Sequence, residues 1–277
     1  MADKLILSKW RQALGGNFKI IVSGGAAIQP RLVRTFRAAG LPIYEGYGLT
    51  ETSPVIAVTS TDENGIKAGT VGPPLRGVEV KIADDGEILA RGPGIMLGYY
   101  KDPGLTAQVI DKDGWFHTGD VGVFEPEGQL RITGRKKEIF KTSLGKYIAP
   151  ELIENKVKES PFVDNIIVVG ENEKFAAALI VPDFNHLRSW CQIKGHQYTT
   201  DGMMLQNPVI RQRFSKVVDH SNSHFGNAEQ IKKFELIPDE WGVLSGELTP
   251  TLKLKRKFIT EKYAANIQKM FSSNGSN

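Results

Sequence analysis

The sequence predicts a mixed α/β and α+β protein: the end of a parallel α/β sheet domain with a small β-barrel subdomain, followed by a smaller α+β domain. In residues 1–60, a strand, a Gly-rich turn, a helix and a second strand succeed one another, which is the order of a parallel α/β unit. In residues 65–134, short alternating runs are separated by Gly, Pro and Asp, which is typical of antiparallel β structure. Residues 135–277 mix helical and strand patterns, which predicts a separate domain that begins at a junction near residue 135.

Each element of the α/β unit has its own signal. Residues 3–14 place apolar side chains at helical spacing before two glycines. Residues 19–23 form an apolar run that predicts a buried strand, and residues 30–39 predict a helix with proline in its first turn. Residues 42–47 predict the second strand. Because both strands run into glycines, and ligands collect at the carboxyl ends of parallel strands, we expect a binding edge there.

The same patterns predict the later elements. The strands of the expected barrel include residues 78–82, 86–91 and 128–133. The C-terminal domain is expected to contain helices at residues 150–158 and 208–224 and strands at residues 165–170 and 175–181.

Composition narrows the class of protein. With 40% hydrophobic and 24% charged residues in 277, the chain has the balance of a soluble globular protein. It has no apolar run of about 18 residues that would predict a transmembrane helix, and its N-terminal apolar run is too short for a signal peptide. The single cysteine, Cys191, excludes an internal disulfide and fits a reducing compartment. We expect a cytoplasmic protein, with peripheral contact at the inner face of the membrane as an open alternative.

The distribution of charge leaves two interpretations. A net charge of +4, from 35 basic and 31 acidic residues, is not a nucleic-acid signature. Basic residues do gather at residues 131–146 and 253–257. They could form a solvated face or a patch for acidic membranes, or they could bind the phosphates of ATP and coenzyme A.

Three sequence blocks occur in one order along the chain. They are residues 43–51 (IYEGYGLTE), residues 114–120 (GWFHTGD) and residues 134–141 (GRKKEIFK), the last continuing through Gly145-Lys146. In this order they resemble the adenylate-forming acyl-CoA synthetase superfamily, over nearly the whole chain. The resemblance implies an enzyme that makes an acyl-AMP from ATP and a carboxylic acid and then transfers the acyl group to a thiol. It implies ATP or AMP, Mg²⁺ and coenzyme A as cofactors and co-substrates, and residues 1–134 as the end of the large adenylation domain.

The first block suits a nucleotide. A tyrosine offers a flat platform for adenine, and a neighbouring glycine lets the backbone approach a ligand. A hydroxyl and a carboxylate further along suit a phosphate and a hard cation, although an ordinary strand-end turn has the same composition. By resemblance, Tyr47 stacks on adenine beside Gly48, Thr50 contacts phosphate and Glu51 binds Mg²⁺. The stretch Gly24-Gly25-Ala26 resembles the segment that lies against the adenine and the acyl group.

The second and third blocks supply further candidates. Asp120 can accept hydrogen bonds from both ribose hydroxyls, although Gly-Asp is also a common turn pair. His117 is interpreted as a packing or supporting residue, because nothing places a substrate proton beside it. The resemblance implies that Arg135 reaches the ribose. It implies that the small domain is mobile, with a hinge at residues 135–137 and Lys137 as its pivot. It also implies that Gly145 lies in the loop past which the pantetheine arm enters.

Residues 248–256 (LTPTLKLKR) resemble the C-terminal motif of long-chain acyl-CoA synthetases. The resemblance assigns Lys253 as the catalytic lysine that bridges the carboxylate and the α-phosphate while negative charge develops. Many relatives have Ser-Gly before this lysine, whereas Thr251-Leu252 precedes it here, in the version typical of long-chain enzymes. Lys255 and Lys257 are interpreted as an exposed basic cluster.

One part that the chemistry needs has no counterpart in the sequence. Residues 23–27 contain glycines but no lysine, so no Gly-rich loop for the β- and γ-phosphates is recognised. We therefore expect a C-terminal portion of a longer long-chain fatty acid–CoA ligase, inactive alone and prone to self-association through residues before about residue 60.

Two further classes stay open. One is an adenylation enzyme that uses another acid or acceptor. The other is a non-catalytic module that binds a nucleotide or coenzyme A. The sequence of the upstream reading frame would distinguish such a module from a truncated ligase.

Overall fold

The computed structural model describes residues 3–60 and 67–272 and divides into two compact units, Met1–Lys136 and Lys137–Asn277. Part of the predicted barrel region, residues 65 and 66, lies outside the described residues. Within the described ranges, no helix combines the length and the apolar character needed to cross a bilayer.

The first unit begins with the predicted α/β arrangement. A π-helical turn, Asp3–Leu7, leads into helix α1 (Ser8–Ala13), and strand β1 (Ile21–Gly24) follows. Helix α2 (Pro30–Ala38) connects β1 to strand β2 (Ile43–Gly48), which pairs with β1 in parallel. Strand β3 (Val55–Val58) then adds antiparallel to the other side of β2, after a short 3₁₀ turn at Thr50–Thr52. The predicted parallel α/β unit is confirmed.

The predicted burial of the first strand is wrong. Strand β1 lies at the edge of the three-stranded sheet, and its face is largely open to solvent. Val22 is 68% exposed and Ile20, just before the strand, is 54% exposed. An apolar run predicts a strand through its residue types, whereas burial also requires a second layer, which these described residues do not supply.

An antiparallel sheet completes the first unit in the region predicted as a small barrel. It contains β4 (Glu79–Ile82), β5 (Glu87–Arg91), β6 (Phe116–Phe124) and β7 (Leu130–Arg135) in sequential order. Helix α3 (Pro103–Val109) lies between β5 and β6 in the chain, and the Asp102 side chain caps it by accepting from the Leu105 N–H. Buried apolar side chains from both sheets form one core: Tyr47, Ile56, Ala57, Ile88, Ala90 and Leu130.

The second unit is an α+β domain around a three-stranded sheet. A two-stranded ribbon, β8 (Phe140–Lys141) and β9 (Tyr147–Ile148), precedes helix α4 (Pro150–Val157). The sheet has the order β10 (Val163–Val169), β11 (Ala176–Pro182) and β12 (Ile231–Leu236). The remaining helices are α5 (Phe184–Lys194), α6 (Asp201–Met204), α7 (Pro208–Asn222), α8 (Arg256–Lys262) and α9 (Ala264–Ser272).

The central strand β11 explains why this unit is compact. All seven of its residues are buried, because its two faces pack into two different cores. Ala178 and Ile180 face the core that includes Phe184 and Phe214, while Leu179 and Val181 face the core that includes Trp241 and Ile259. Alternate residues of a strand point to opposite faces, so a continuous apolar run is what a doubly covered strand requires.

Candidate functional site

Three residues that the sequence assigns to one nucleotide are neighbours in the first unit. The Tyr47 hydroxyl, from β2, donates a hydrogen bond to Asp120 Oδ2 at 2.8 Å. Arg135 Nε lies 3.0 Å from Asp120 Oδ1, and these two residues are directly opposite in the β6–β7 pair. The cluster thus joins residues 73 positions apart in the chain, between Tyr47 and Asp120, into one polar site.

Burial sets the electrostatics of this cluster. Tyr47 and Asp120 are only 7% and 5% exposed, whereas about half of the Arg135 side chain is open to solvent. Burial raises the pKa of Tyr47, and the negative charge of Asp120 raises it further. Tyr47 therefore stays protonated and donates to Asp120 Oδ2, while the guanidinium of Arg135 contacts Asp120 Oδ1. The two contacts together fix the orientation of the Asp120 carboxylate.

The ring of Tyr47 is more enclosed than a platform for adenine requires. It packs in the core with Ile56 and Ile88, so little of either ring face is accessible in this structure. Stacking on adenine stays a prediction. The hydrogen bond to Asp120 was not predicted, because sequence spacing carries no information on which distant carboxylate a phenol will reach.

The glycines at the strand ends lie next to this cluster. Gly24 of β1 is paired with Gly46 of β2, and a Cβ on Gly24 would lie 3.2 Å from the Gly46 carbonyl oxygen. Gly25 has φ +78°, a left-handed conformation that favours glycine, and it is exposed together with Ala26. The structure therefore places the predicted Gly24-Gly25-Ala26 stretch beside the C-terminal end of β2, which contains Tyr47.

Gly48 has a structural requirement that the sequence did not reveal. A Cβ at this position would lie 1.6 Å from the Pro54 carbonyl oxygen, because the 3₁₀ turn returns the chain across the end of β2. Any side chain would have to displace this turn, which contains Thr50 and Glu51. Gly48 is therefore needed for the turn itself, whatever it contributes to a ligand.

Thr50 and Glu51 occupy that turn. Thr50 is exposed, and Glu51 accepts a hydrogen bond from the Tyr99 hydroxyl at 3.0 Å on its Oε1. Among residues 3–60 and 67–272, no group of three or more His, Cys, Asp or Glu side chains could hold a metal ion. Mg²⁺ commonly takes only one or two protein carboxylates and completes its shell with phosphate and water, so a single glutamate fits that role.

A buried glutamate lies two residues before Tyr47 on the same face of β2. Glu45 is 6% exposed, and burial raises the pKa of its carboxyl from 4.5 to about 7, with the Gly69 N–H offsetting part of that rise. A carboxyl with a raised native pKa binds its proton more tightly in the folded state than in the unfolded state. Its contribution to stability is therefore complete below about pH 4.5 and is lost as the pH rises through about 7.

We expect Glu45→Gln to remove this pH dependence. Between about pH 5 and pH 8 the free energy of unfolding of the wild type should fall by about 2–3 kcal/mol relative to that of the variant. Urea unfolding of both proteins across this range measures the difference. Asp84→Asn, in an exposed turn of the same unit, is the control and should leave the wild-type pH dependence in place. If the free energies of unfolding of Glu45→Gln and wild type differed by the same amount at every pH, the raised pKa of Glu45 would be contradicted.

A second carboxylate, Glu87 of β5, was missed by the sequence interpretation. It is 4% exposed and is contacted by His117, the Gly119 N–H and Lys136. His117 therefore acts as a partner of Glu87, in agreement with its predicted supporting role, and its Nε2 lies 3.8 Å from Asp111 Oδ2. The only sequence signal was one acidic residue before three apolar ones, which does not identify its partners.

In the second unit, Gly145 lies in the turn of the β8–β9 ribbon. Its φ of +78° is left-handed, and its N–H donates to the Thr142 carbonyl at 2.9 Å. The turn displays Leu144, which is 70% exposed, and Tyr147, which is 69% exposed. Gly145 is thus at the tip of a projecting ribbon, and Lys137 is the first residue of this unit.

Lys253 is displayed by a tight turn. Its carbonyl accepts from the Thr249 N–H at 2.8 Å, its N–H donates to Thr249 Oγ1 at 3.0 Å, and Leu252 has φ +59°. The turn leaves the Lys253 side chain exposed, and the side chains of Lys255 and Lys257 are exposed as well. Exposure alone does not select one of the three lysines.

Arg256 follows this turn directly and anchors it. Its guanidinium contacts Glu138 at 2.7 Å and both carboxylate oxygens of Glu154, at 3.0 and 2.5 Å. Glu154 is 4% exposed and also accepts the Val168 N–H at 2.7 Å. The sequence interpretation treated this arginine as part of a basic cluster and did not predict the buried ion triad.

The architecture defines the class of protein. The A domain of carboxylic acid reductase from Segniliparus rugosus, solved with AMP and a co-purified carboxylic acid, superposes with a TM-score of 0.76 at 22% identity, over 97% of this chain and 42% of that chain. ATP-bound MatB from Rhodopseudomonas palustris superposes with a TM-score of 0.68 at 23% identity, over 90% of this chain and 46% of that one. These similarities establish an adenylation-domain fold.

The chain belongs to the AMP-binding enzyme family. Residues 1–100 match the model described as AMP-binding enzyme, and residues 137–275 match the model of the AMP-binding enzyme C-terminal domain. The long-chain-fatty-acid–CoA ligase FadD15 of Mycobacterium tuberculosis is 40% identical over 271 residues, covering 98% of this chain and 45% of the relative. Human long-chain-fatty-acid–CoA ligase 1 is 36% identical over 285 residues, covering 98% of this chain and 40% of the relative. The resemblance seen in the sequence is confirmed, and the chain spans less than half the length of these relatives.

Proposed function

We propose that the chain is the C-terminal portion of an AMP-forming long-chain fatty acid–CoA ligase, which activates a fatty acid as acyl-AMP and transfers the acyl group to coenzyme A. The observation that supports this most directly is the cluster of Tyr47, Asp120 and Arg135. A buried carboxylate held between a phenol and a guanidinium is suited to a diol such as the ribose of AMP. The similarity to long-chain fatty-acid–CoA ligases supports the acid and the acceptor.

Each remaining residue of the proposal has a stated task. Asp120 accepts from the ribose hydroxyls, and the exposed part of Arg135 reaches the same sugar. Thr50 contacts phosphate, and Glu51 holds Mg²⁺, which would neutralise phosphate charge when bound. Lys253 donates to the α-phosphate and to the acyl carboxylate, where negative charge increases during adenylation.

Thioester formation uses the projecting ribbon of the second unit in this proposal. Gly145 allows the pantetheine arm of coenzyme A to pass close to the backbone of the turn. Residues 135–137 are the hinge, with Lys137 as its pivot, and the boundary between the two compact units falls after Lys136.

Two partner predictions belong to the same proposal. Self-association through the first 60 residues is supported by the exposed apolar side chains near β1: Ile6, Trp10, Leu14, Phe18, Ile20 and Val22. Peripheral membrane contact stays a prediction.

The isolated 277-residue chain should bind AMP weakly and show no measurable ATP–pyrophosphate exchange with any fatty acid. Ribose and α-phosphate contacts are present in this proposal, but no Gly-rich loop with a lysine positions the β- and γ-phosphates. AMP titration followed by NMR and a radioactive exchange assay measure the two properties.

Asp120→Asn should weaken AMP binding about tenfold or more, since it removes a charged acceptor. The exposed turn variant Asp84→Asn is the matched control and should bind as the wild type does. Robust exchange by the purified chain would refute the truncation part of the proposal, and would indicate that residues 23–27 act as the phosphate loop.

A further inference from the structure

Glu87 lies at the point where three strands of the antiparallel sheet meet the proposed ribose site. Its Oε1 accepts the Gly119 N–H at 2.9 Å, and its Oε2 lies 3.1 Å from His117 Nδ1 and 2.8 Å from Lys136 Nζ. Burial raises the pKa of this carboxyl, but the hydrogen bonds from Lys136, His117 and Gly119 lower it more, so that it lies below its usual value. Glu87 is therefore an ionised acceptor, and His117 donates through Nδ1.

These donors come from both sides of the Asp120–Arg135 pair. Gly119 immediately precedes Asp120 in β6, and Lys136 immediately follows Arg135, the last residue of β7. The Lys136 N–H also donates to the Gly119 carbonyl at 2.9 Å. The Glu87 carboxylate thus holds the backbone N–H of Gly119, next to Asp120, and the side chain of Lys136, next to Arg135.

The strand pairing shows why Gly119 needs this acceptor. Glu87 is paired with Val121 and Leu89 with His117, so three residues of β6 lie opposite one residue of β5. A bulge of this kind leaves its extra residues without ladder partners and redirects their side chains. Gly119, at φ +71°, lies in this bulge, and Glu87 supplies the partner that its N–H would otherwise lack. The conformation that directs Asp120 towards Tyr47 thereby depends on Glu87.

Lys136 is held by a second carboxylate. Its Nζ lies 2.6 Å from Asp85 Oδ2 in addition to Glu87, and about half of its side chain is exposed. The ion pair between Lys136 and Asp85 is exposed on both sides, so it contributes little to the free energy of unfolding. Its position immediately after Arg135 makes it suited to orienting that strand end.

We propose that Glu87 is a positioning residue for the ribose of the nucleotide: it fixes the β6 bulge and the end of β7 so that Asp120 and Arg135 meet the sugar hydroxyls together. This inference rests on the proposed function. Glu87 does not contact the nucleotide itself; it acts through Gly119 and Lys136. Its effect should therefore depend on the presence of the ribose hydroxyls, which a purely structural role would not.

The test compares AMP with 2′,3′-dideoxy-AMP, which lacks both hydroxyls, as ligands of the full 277-residue chain. Wild type should bind AMP about tenfold more tightly than the dideoxy nucleotide, because of the charged hydrogen bonds to the ribose. Glu87→Gln should bind AMP about tenfold more weakly than wild type does. It should bind the dideoxy nucleotide as tightly as wild type does, so that the variant no longer prefers AMP. Glu79→Gln removes another ion-paired carboxylate of the same sheet, the partner of Arg91, and should retain the wild-type preference.

The outcomes separate this inference from the proposed function. If the wild-type chain binds neither nucleotide, the proposed function and the inference both fail. If wild type prefers AMP and Glu87→Gln keeps that preference, or loses affinity for both nucleotides equally, only the inference fails. Should Glu87→Gln not fold, Lys136→Met replaces it, since Lys136 is half-exposed and its removal leaves the Glu87–Gly119 bond. The inference requires the Glu87–Lys136 contact to align Arg135 with the sugar, so loss of the ribose preference in Lys136→Met supports the inference and retention of it overturns the inference.

Discussion

Lys253→Ala, in an active enzyme that contains this chain, is expected to slow acyl-AMP formation by about 10²–10³-fold, while thioester formation from supplied acyl-AMP changes far less. The reason is that negative charge develops on the carboxylate and α-phosphate during adenylation, and the lysine stabilises it there. The turn from Thr249 to Lys253 is closed by hydrogen bonds of the backbone and of Thr249 Oγ1, and it leaves the Lys253 side chain exposed. The two half-reactions are measured separately, by pyrophosphate release and by thioester formation.

Lys255→Ala is the matched control for this prediction. Lys255 is exposed like Lys253 and is two residues away, but its Nζ lies over the Phe258 ring at 5.6 Å. It should leave both half-reactions within about a factor of three, as expected for a surface charge. Equal losses in both half-reactions for Lys253→Ala, or an equal effect of Lys255→Ala on adenylation, would show that Lys253 is not the adenylation lysine.

Arg256→Met is expected to destabilise the second unit by about 3–5 kcal/mol. The substitution leaves Glu154, which is 4% exposed, without the guanidinium that contacts both of its oxygens. The cost comes mainly from the uncompensated buried charge. Urea unfolding, followed by the amide NMR signals of the second unit, measures the change.

Two further variants test that explanation. The double variant Glu154→Gln with Arg256→Met should recover much of the loss, because it removes the charge as well as its partner. Arg188→Met removes another two-pronged arginine contact, to Asp201 at 2.9 and 2.7 Å, but one in an exposed setting. It should cost far less than Arg256→Met, because an exposed ion pair contributes little to stability. Similar losses for Arg188→Met and Arg256→Met would contradict a role for burial.

Most of the secondary structure was predictable because it depends on near neighbours in the chain. The helix at Pro208–Asn222 and the strand at Ala176–Pro182 lie within two residues of their predicted bounds, since periodicity and terminating residues determine them. The burial of β1 was not predictable in the same way. Its residue types favour a strand, but whether a strand is covered depends on what packs against it.

The candidate site divides along the same line. The sequence by itself identified Tyr47, Asp120 and Arg135 as candidates, through residue types that suit a nucleotide and through the order of the three blocks. It also placed the family correctly, as the matches over residues 1–100 and 137–275 confirm. Such patterns are local, so each can be recognised without knowledge of the others' positions in space.

Only the tertiary structure decided which side chains meet. The bond from Tyr47 joins β2 to Asp120, which lies in the bulged part of β6, and the partners of Glu87 come from residues 30 to 49 positions away. The contact between Arg256 and Glu138 spans 118 positions. Strand register, bulges and helix packing set these contacts, and a shift of one residue in register would direct each side chain to the opposite face of its sheet. The sequence therefore determined the chemical groups of the site, and the fold determined their partners, their burial and their charge.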